Sequence, residues 1–279
     1  MQNPYQEPDR PGDLYRPPPF HPQQQPGGAG GRKSRKKIVA GVCALTALAV
    51  AAAATGVVLG VRENRARERA IPPASAADPT KPQVAGWKTV VNPEHGTAFD
   101  VPPQWEVLEP TVFSGYTDDK DPDKVLIGHT APAFYKSKWC SIDADGDGQF
   151  SDVRLANTGT KGAAGAKTAE EIAEKEAPTW VYAAYTQPDK SVVKTDKPVA
   201  YTTKSGVRGS YVKARSKGAA RTDHCAGDGQ AVVFGFKNSR GDFVSWDFYG
   251  RTGVPGAVED ALIMRVLSTV RLAGTPKER

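Results

Sequence analysis

The sequence predicts an α+β fold, an antiparallel β-sheet with flanking helices, carried behind a single transmembrane helix. Three observations predict it. Residues 38–61 form an unbroken apolar run directly after Arg32, Lys33, Arg35, Lys36 and Lys37. Beyond that run, two groups of strand-like segments are separated by one capped helix. A second amphipathic helix then closes the chain. Strands, helix, strands, helix in that order suits antiparallel pairing rather than parallel βαβ units.

The membrane segment organises the rest. At 1.5 Å per residue the run 38–61 reaches roughly 36 Å, enough to cross a ~30 Å hydrocarbon core with some tilt. It exceeds the apolar core of a signal peptide, and the small-residue stretch Ala74-Ser75-Ala76 lies far beyond it, behind Arg62, Arg65, Arg67 and Arg69. An uncleaved anchor is therefore expected. A lipid-modified start is not, because Cys43 follows Val42 and lies inside the span. Residues 32–37 carry five basic side chains and no acid, whereas Glu63 and Glu68 dilute the other flank. The basic excess places the N-terminus in the cytoplasm and the C-terminal part outside the cell membrane. Gly56 and Gly60, one turn apart, would let two such helices approach closely as a weak homodimer.

Residues 1–31 are rich in Pro, Gln and Gly, with Pro17-Pro18-Pro19 and Gln23-Gln24-Gln25. Such a segment buries too little apolar area to offset its ordering entropy, so a disordered cytoplasmic tail is expected, with Pro17 to Pro22 able to form a polyproline II ligand. A tail of that kind leaves a single-span signalling role open. Residues 62–84 read as a tether, residues 85–273 as the extracytoplasmic domain, and residues 274–279 as a disordered C-terminus.

Charge placement excludes nucleic acid as a partner. The formal net charge is +6, but residues 1–80 hold 11 of the 37 basic and 6 of the 31 acidic residues. That leaves 26 basic against 25 acidic, a net of +1, for residues 81–279. The basicity serves the membrane flanks, where it meets the lipid bilayer, and no basic stripe with interleaved aromatics follows.

Within the domain, residues 87–91 have strand character, residues 92–96 (Asn-Pro-Glu-His-Gly) are turn chemistry, and residues 97–101 answer as a second strand. Residues 105–108 and 125–135 continue the β pattern as far as Cys140. Residues 141–167, heavy in Asp, Gly, Ala and Thr, read as irregular. Thr168 and Glu171 form a capping box, and Ile172, Ala173, Ala177, Trp180, Val181 and Ala184 share one face of the helix that follows. Pro178 should kink or divide that helix. Two hairpins come next, 199–203 with 207–214 and 231–236 with 243–249. In the last strand Val244, Trp246 and Phe248 alternate with Ser245, Asp247 and Tyr249, the pattern of a strand buried on one face only. The closing helix is expected over 256–268.

The stretches Trp87-Lys88-Thr89-Val90, Gly96 to Val107 and Val266 to Leu272 resemble the opening and closing phrases of the PsbP-like α/β/α sandwich. That fold includes the mycobacterial LpqN-type lipoproteins, and the chain as a whole resembles single-span membrane proteins of actinobacteria. The resemblance implies a binding or assembly role and carries over no catalytic residue.

Candidate chemistry is sparse. Asp143, Asp145 and Asp147 with Gly148 match the first half of a calcium loop, but the position that needs a bidentate Glu is Arg154. A weak calcium site is the most this pattern supports. Cys140 and Cys225 are the only cysteines beyond the anchor and are expected to form a disulfide in an oxidising compartment. Asp223, His224 and Cys225 place acid, base and nucleophile side by side, yet adjacent residues do not face one another, and a hydrolase using His224 and Cys225 would need a free thiol. No phosphate loop, dinucleotide fingerprint or nucleophile elbow is present. The expectation is therefore a non-enzymatic binding or scaffold protein of the cell envelope without a cofactor, whose partner is an envelope protein or a small ligand.

Overall fold

The computed structural model describes residues 78–143 and 146–277. The expected tail, basic flank, transmembrane helix, Gly56–Gly60 pair and most of the tether lie outside the described residues. Among the described residues, no helix is long and apolar enough to cross a membrane.

The described residues form fourteen strands and two α-helices in chain order. They are β1 (Lys88–Asn92), β2 (Thr97–Val101), β3 (Glu106–Val107), β4 (Phe113–Asp118), β5 (Asp121–Tyr135), β6 (Cys140–Ile142), β7 (Ser151–Val153) and β8 (Ala156–Gly162). Helix α1 (Ala169–Val181) continues as one π-helical segment, Tyr182–Thr186. Then come β9 (Val193–Thr195), β10 (Val199–Thr202), β11 (Arg208–Ser216), β12 (Gly229–Lys237), β13 (Phe243–Arg251), α2 (Asp260–Leu267) and β14 (Arg271–Leu272). A nine-stranded sheet runs β10-β11-β12-β13-β8-β5-β3, with β4 added to β5 and β9 to β11, and every pairing is antiparallel. A second sheet orders β1-β2-β14, and β6 pairs with β7 alone. The domain is thus a β-rich α+β fold.

Helix α1 covers one face of the large sheet. Ala173, Ala177, Trp180 and Val181 pack against Val212, Ala214, Ala231 and Val233. The other face meets the small sheet and α2 through Phe99, Trp105, Phe234, Trp246, Phe248, Ile263 and Leu267. Thr168 caps α1 by accepting from the Glu171 amide, while the Glu171 carboxylate reaches back to the Lys167 amide, one residue beyond the expected box. Pro178 does not divide the helix. The α-helix runs past it to Val181, and the departure comes one turn later, where the chain widens into the π segment.

Three expectations need correction. The stretch 141–167 is not irregular throughout, because β8 lies between β13 and β5 inside the large sheet. Strand β13 is buried on both faces, so Ser245, Asp247 and Tyr249 face α1 instead of water. The closing helix starts at Asp260 because Gly256 adopts φ +79° and the chain turns before entering it. Residues 78–83 are seated on the body, and at the other end the Lys277 amide donates to the Pro93 carbonyl at 3.1 Å.

Candidate functional site

A groove of about 780 Å³ lies between residues 78–83 and the β10–β11 turn, with Lys237, Arg271 and Leu272 also in its lining. Its N-terminal wall is held by a buried ion pair. Arg271 on β14 donates from Nη2 to Asp100 Oδ1 of β2 at 2.8 Å, and the two side chains are 3% and 0% exposed. A lone buried charge would be costly, and Arg271 is supplied with further acceptors. Its Nε donates to the Pro79 carbonyl at 2.6 Å, Nη2 to the Lys81 carbonyl at 3.0 Å and Nη1 to the Thr269 carbonyl at 2.9 Å. The second oxygen of Asp100 accepts the Gln83 amide at 2.6 Å. One guanidinium and one carboxylate therefore strap residues 78–83 to the small sheet.

The groove lining mixes apolar and basic groups. Pro79, Pro82, Val207 and Leu272 supply carbon surface, and Lys81, Arg208 and Lys237 supply exposed cations. None of these three is in a salt bridge among the described residues. Among the described residues Asp78 is the only acid lining the groove, and hydrogen bonds from the Thr80 hydroxyl and amide hold its carboxyl below the usual range. A site of this volume and composition suits an anionic ligand with an apolar body.

A second polar feature lies inside the α1 layer. His129 on β5 reaches across Gly159 of β8 to place Nδ1 at 2.7 Å from Asp247 Oδ1 on β13. The glycine is required, since a Cβ there would come within 2.6 Å of the imidazole ring. Trp180 lies 5.1 Å from the imidazole and stacks on Tyr249 at 4.4 Å. Toward one end Glu176 of α1 binds Lys161 and Ser245, each at 2.6 Å. Toward the other, Asn157 donates at 2.8 Å to both Ser114 Oγ and Tyr249 Oη. Burial pushes the Asp247 carboxyl up in spite of His129, and it pushes the Tyr249 and Tyr185 phenols well up. A histidine oriented by a carboxylate is the arrangement of a general base, but both side chains are fully buried, so substrate has no access to them. A smaller cleft of about 250 Å³ is lined by Phe113, Gly128, His129 and Thr130. Strand alternation turns Phe113 and Thr130 toward the small sheet and the His129 ring, 0% exposed, toward α1.

The residues singled out from sequence fare differently. Cys140 and Cys225 are joined, with Cα atoms 5.9 Å apart. His224 lies beside them, all three ligand atoms falling within 4.8 Å, but sulfurs bonded to each other offer no thiolate to a metal or a substrate. Asp223 accepts the Cys225 amide at 2.7 Å and so closes a turn. Asp143 uses its two oxygens on the amides of Gly146 and Gly148, Asp147 accepts from the Gln149 amide, and Asp145 lies outside the described residues. Arg154, where a calcium loop needs its last carboxylate, donates to Ser114 Oγ and lies 3.9 Å over the Phe134 ring. Sequence reasoning missed the Arg271–Asp100 pair, whose members are 171 residues apart, and the His129–Asp247 pair, 118 apart.

No curated protein matches the chain. Residues 80–275 match a family described as a domain of unknown function, DUF8017; the match runs from within the strap that Arg271 holds to three residues past β14, and the chain belongs to that family.

Proposed function

We propose that the protein is a membrane-anchored extracytoplasmic binding protein of the cell envelope, with a PsbP-like domain held outside the membrane by the helix over 38–61 and a cytoplasmic N-terminal tail. The observation that carries the reading is the basic groove of about 780 Å³ at the point where the tether enters the domain. Among the described residues its exposed cations Lys81, Arg208 and Lys237 are in no salt bridge, and its lining holds no histidine or cysteine. The Cys140–Cys225 bond supports an oxidising compartment. It also leaves the alternative, a hydrolase using His224 and Cys225, without a free thiol. The reading includes no resident cofactor.

A photo-crosslinking amino acid placed at Val207 in the groove, and separately at exposed Glu174 on α1, tests this in intact cells of the source organism. A discrete adduct from position 207 that position 174 does not produce is expected. Identical adducts from both positions, or none from 207, would overturn the reading.

A further inference from the structure

The edge of β14 indicates what kind of ligand the groove holds. In the small sheet Arg271 stands opposite Ala98 and Leu272 opposite Thr97, and the Ala273 amide donates to the Gly96 carbonyl. Hydrogen-bonded and non-bonded pairs alternate along an antiparallel ladder. Leu272 is therefore at a non-bonded position, and its N–H and C=O point away from β2. The same outward edge is covered further back by the β10–β11 turn, where the Ser205 hydroxyl donates to the Val270 carbonyl at 2.8 Å and the Lys204 amide to the Ser268 carbonyl at 3.0 Å. Beyond Ser205 that cover ends, and Leu272 lines the groove. An uncovered strand edge with paired donor and acceptor is a template for another extended chain.

The charges around this edge select among extended chains. Lys81, Arg208 and Lys237 ring the groove without salt-bridge partners among the described residues, and Pro79, Pro82 and Val207 supply the apolar surface between them. A strand whose alternate side chains are acidic and apolar complements both features. A flat anionic bilayer would meet the cations but has no use for a recessed backbone edge. We propose that the groove binds an extended acidic segment of a partner protein, which adds to β14 as a further strand. This rests on the binding reading above and deepens it by naming the class of ligand.

The test uses the full chain in nanodiscs of neutral phosphatidylcholine and a fluorescein-labelled peptide of alternating valine and glutamate. Anisotropy should show saturable binding. Lys81→Glu, Arg208→Glu and Lys237→Glu together should weaken it by about tenfold or more, the combined effect of three exposed ion pairs. Lys237→Gln alone, a milder change that guards against misfolding, should weaken it by about twofold. A peptide N-methylated at alternate residues should bind about tenfold more weakly, because strand addition depends on its backbone donors. Equal binding of the methylated peptide, or full binding to the triple variant, overturns the inference. Capture of phosphatidylglycerol vesicles without any peptide binding also overturns it, yet leaves the broader binding reading standing. Failure of the peptide, the vesicles and the position-207 crosslink together removes both.

Discussion

Gly159 is the residue on which the helix-side interior turns. It lets the His129 ring cross β8 and meet Asp247, and no pattern in the sequence announces this, since 118 residues separate the partners. The strand-like alternation of 243–249 was legible, but its interpretation was not. A sheet covered on one face and one covered on both differ only in what lies opposite Asp247, and that cover comes from α1. Gly159→Ala should force the imidazole off Asp247 and destabilise by about 1 to 3 kcal/mol, as overpacked cores do. A melting temperature equal to that of the parent would contradict the packing described. Asp228 tests the surface loops. Burial pushes its carboxyl up, but the amides of Ala219 and Gly218 and the Ser216 hydroxyl outweigh that and hold it below the usual range. A depressed carboxylate contributes stability that is complete above its unfolded pKa of about 3.9 and is lost as pH falls through the folded value. Asp228→Asn should therefore flatten the acid limb of a melting-temperature profile; an unchanged acid limb would contradict the assignment.

Among the elements, the strap at residues 78–83 was read as the end of a tether, because Pro, Lys and Gln carry no strand or helix signal. Its order comes from Arg271, almost two hundred residues later in the chain. Arg271→Ala should leave Asp100 buried without its cation and cost about 3 to 5 kcal/mol. Hydrogen exchange should then rise at the Gln83 amide before it rises in β12. Simultaneous exchange of the whole domain would show that the strap is not a separate unit. Strand β8 was missed for a related reason. Its sequence, Ala-Asn-Thr-Gly-Thr-Lys-Gly, has no apolar alternation, since its side chains serve polar networks on both faces of the sheet. By contrast, α1 was readable from its cap and its apolar face. Both hairpins were readable from turn residues, because those signals are local.

At the scale of the whole molecule, the disulfide was legible from cysteine arithmetic alone, while the groove was not, because it is assembled from four segments far apart in sequence. The bond between Cys140 and Cys225 closes a separation of 85 residues. In the chain-entropy model that closure stabilises by about 4 to 5 kcal/mol. Reductant should accordingly lower the melting temperature, and Cys140→Ala and Cys225→Ala should lower it by similar amounts; a reductant-insensitive melt would contradict the structural role. The proposed placement of the domain outside the cell membrane rests on the disulfide and on the transmembrane helix expected over 38–61. The most direct test is protease added to intact protoplasts carrying the full chain with a tag at the C-terminus. Loss of the tagged domain, with a membrane-bound N-terminal fragment remaining, is the predicted result, and a fully protected C-terminal domain would contradict the account.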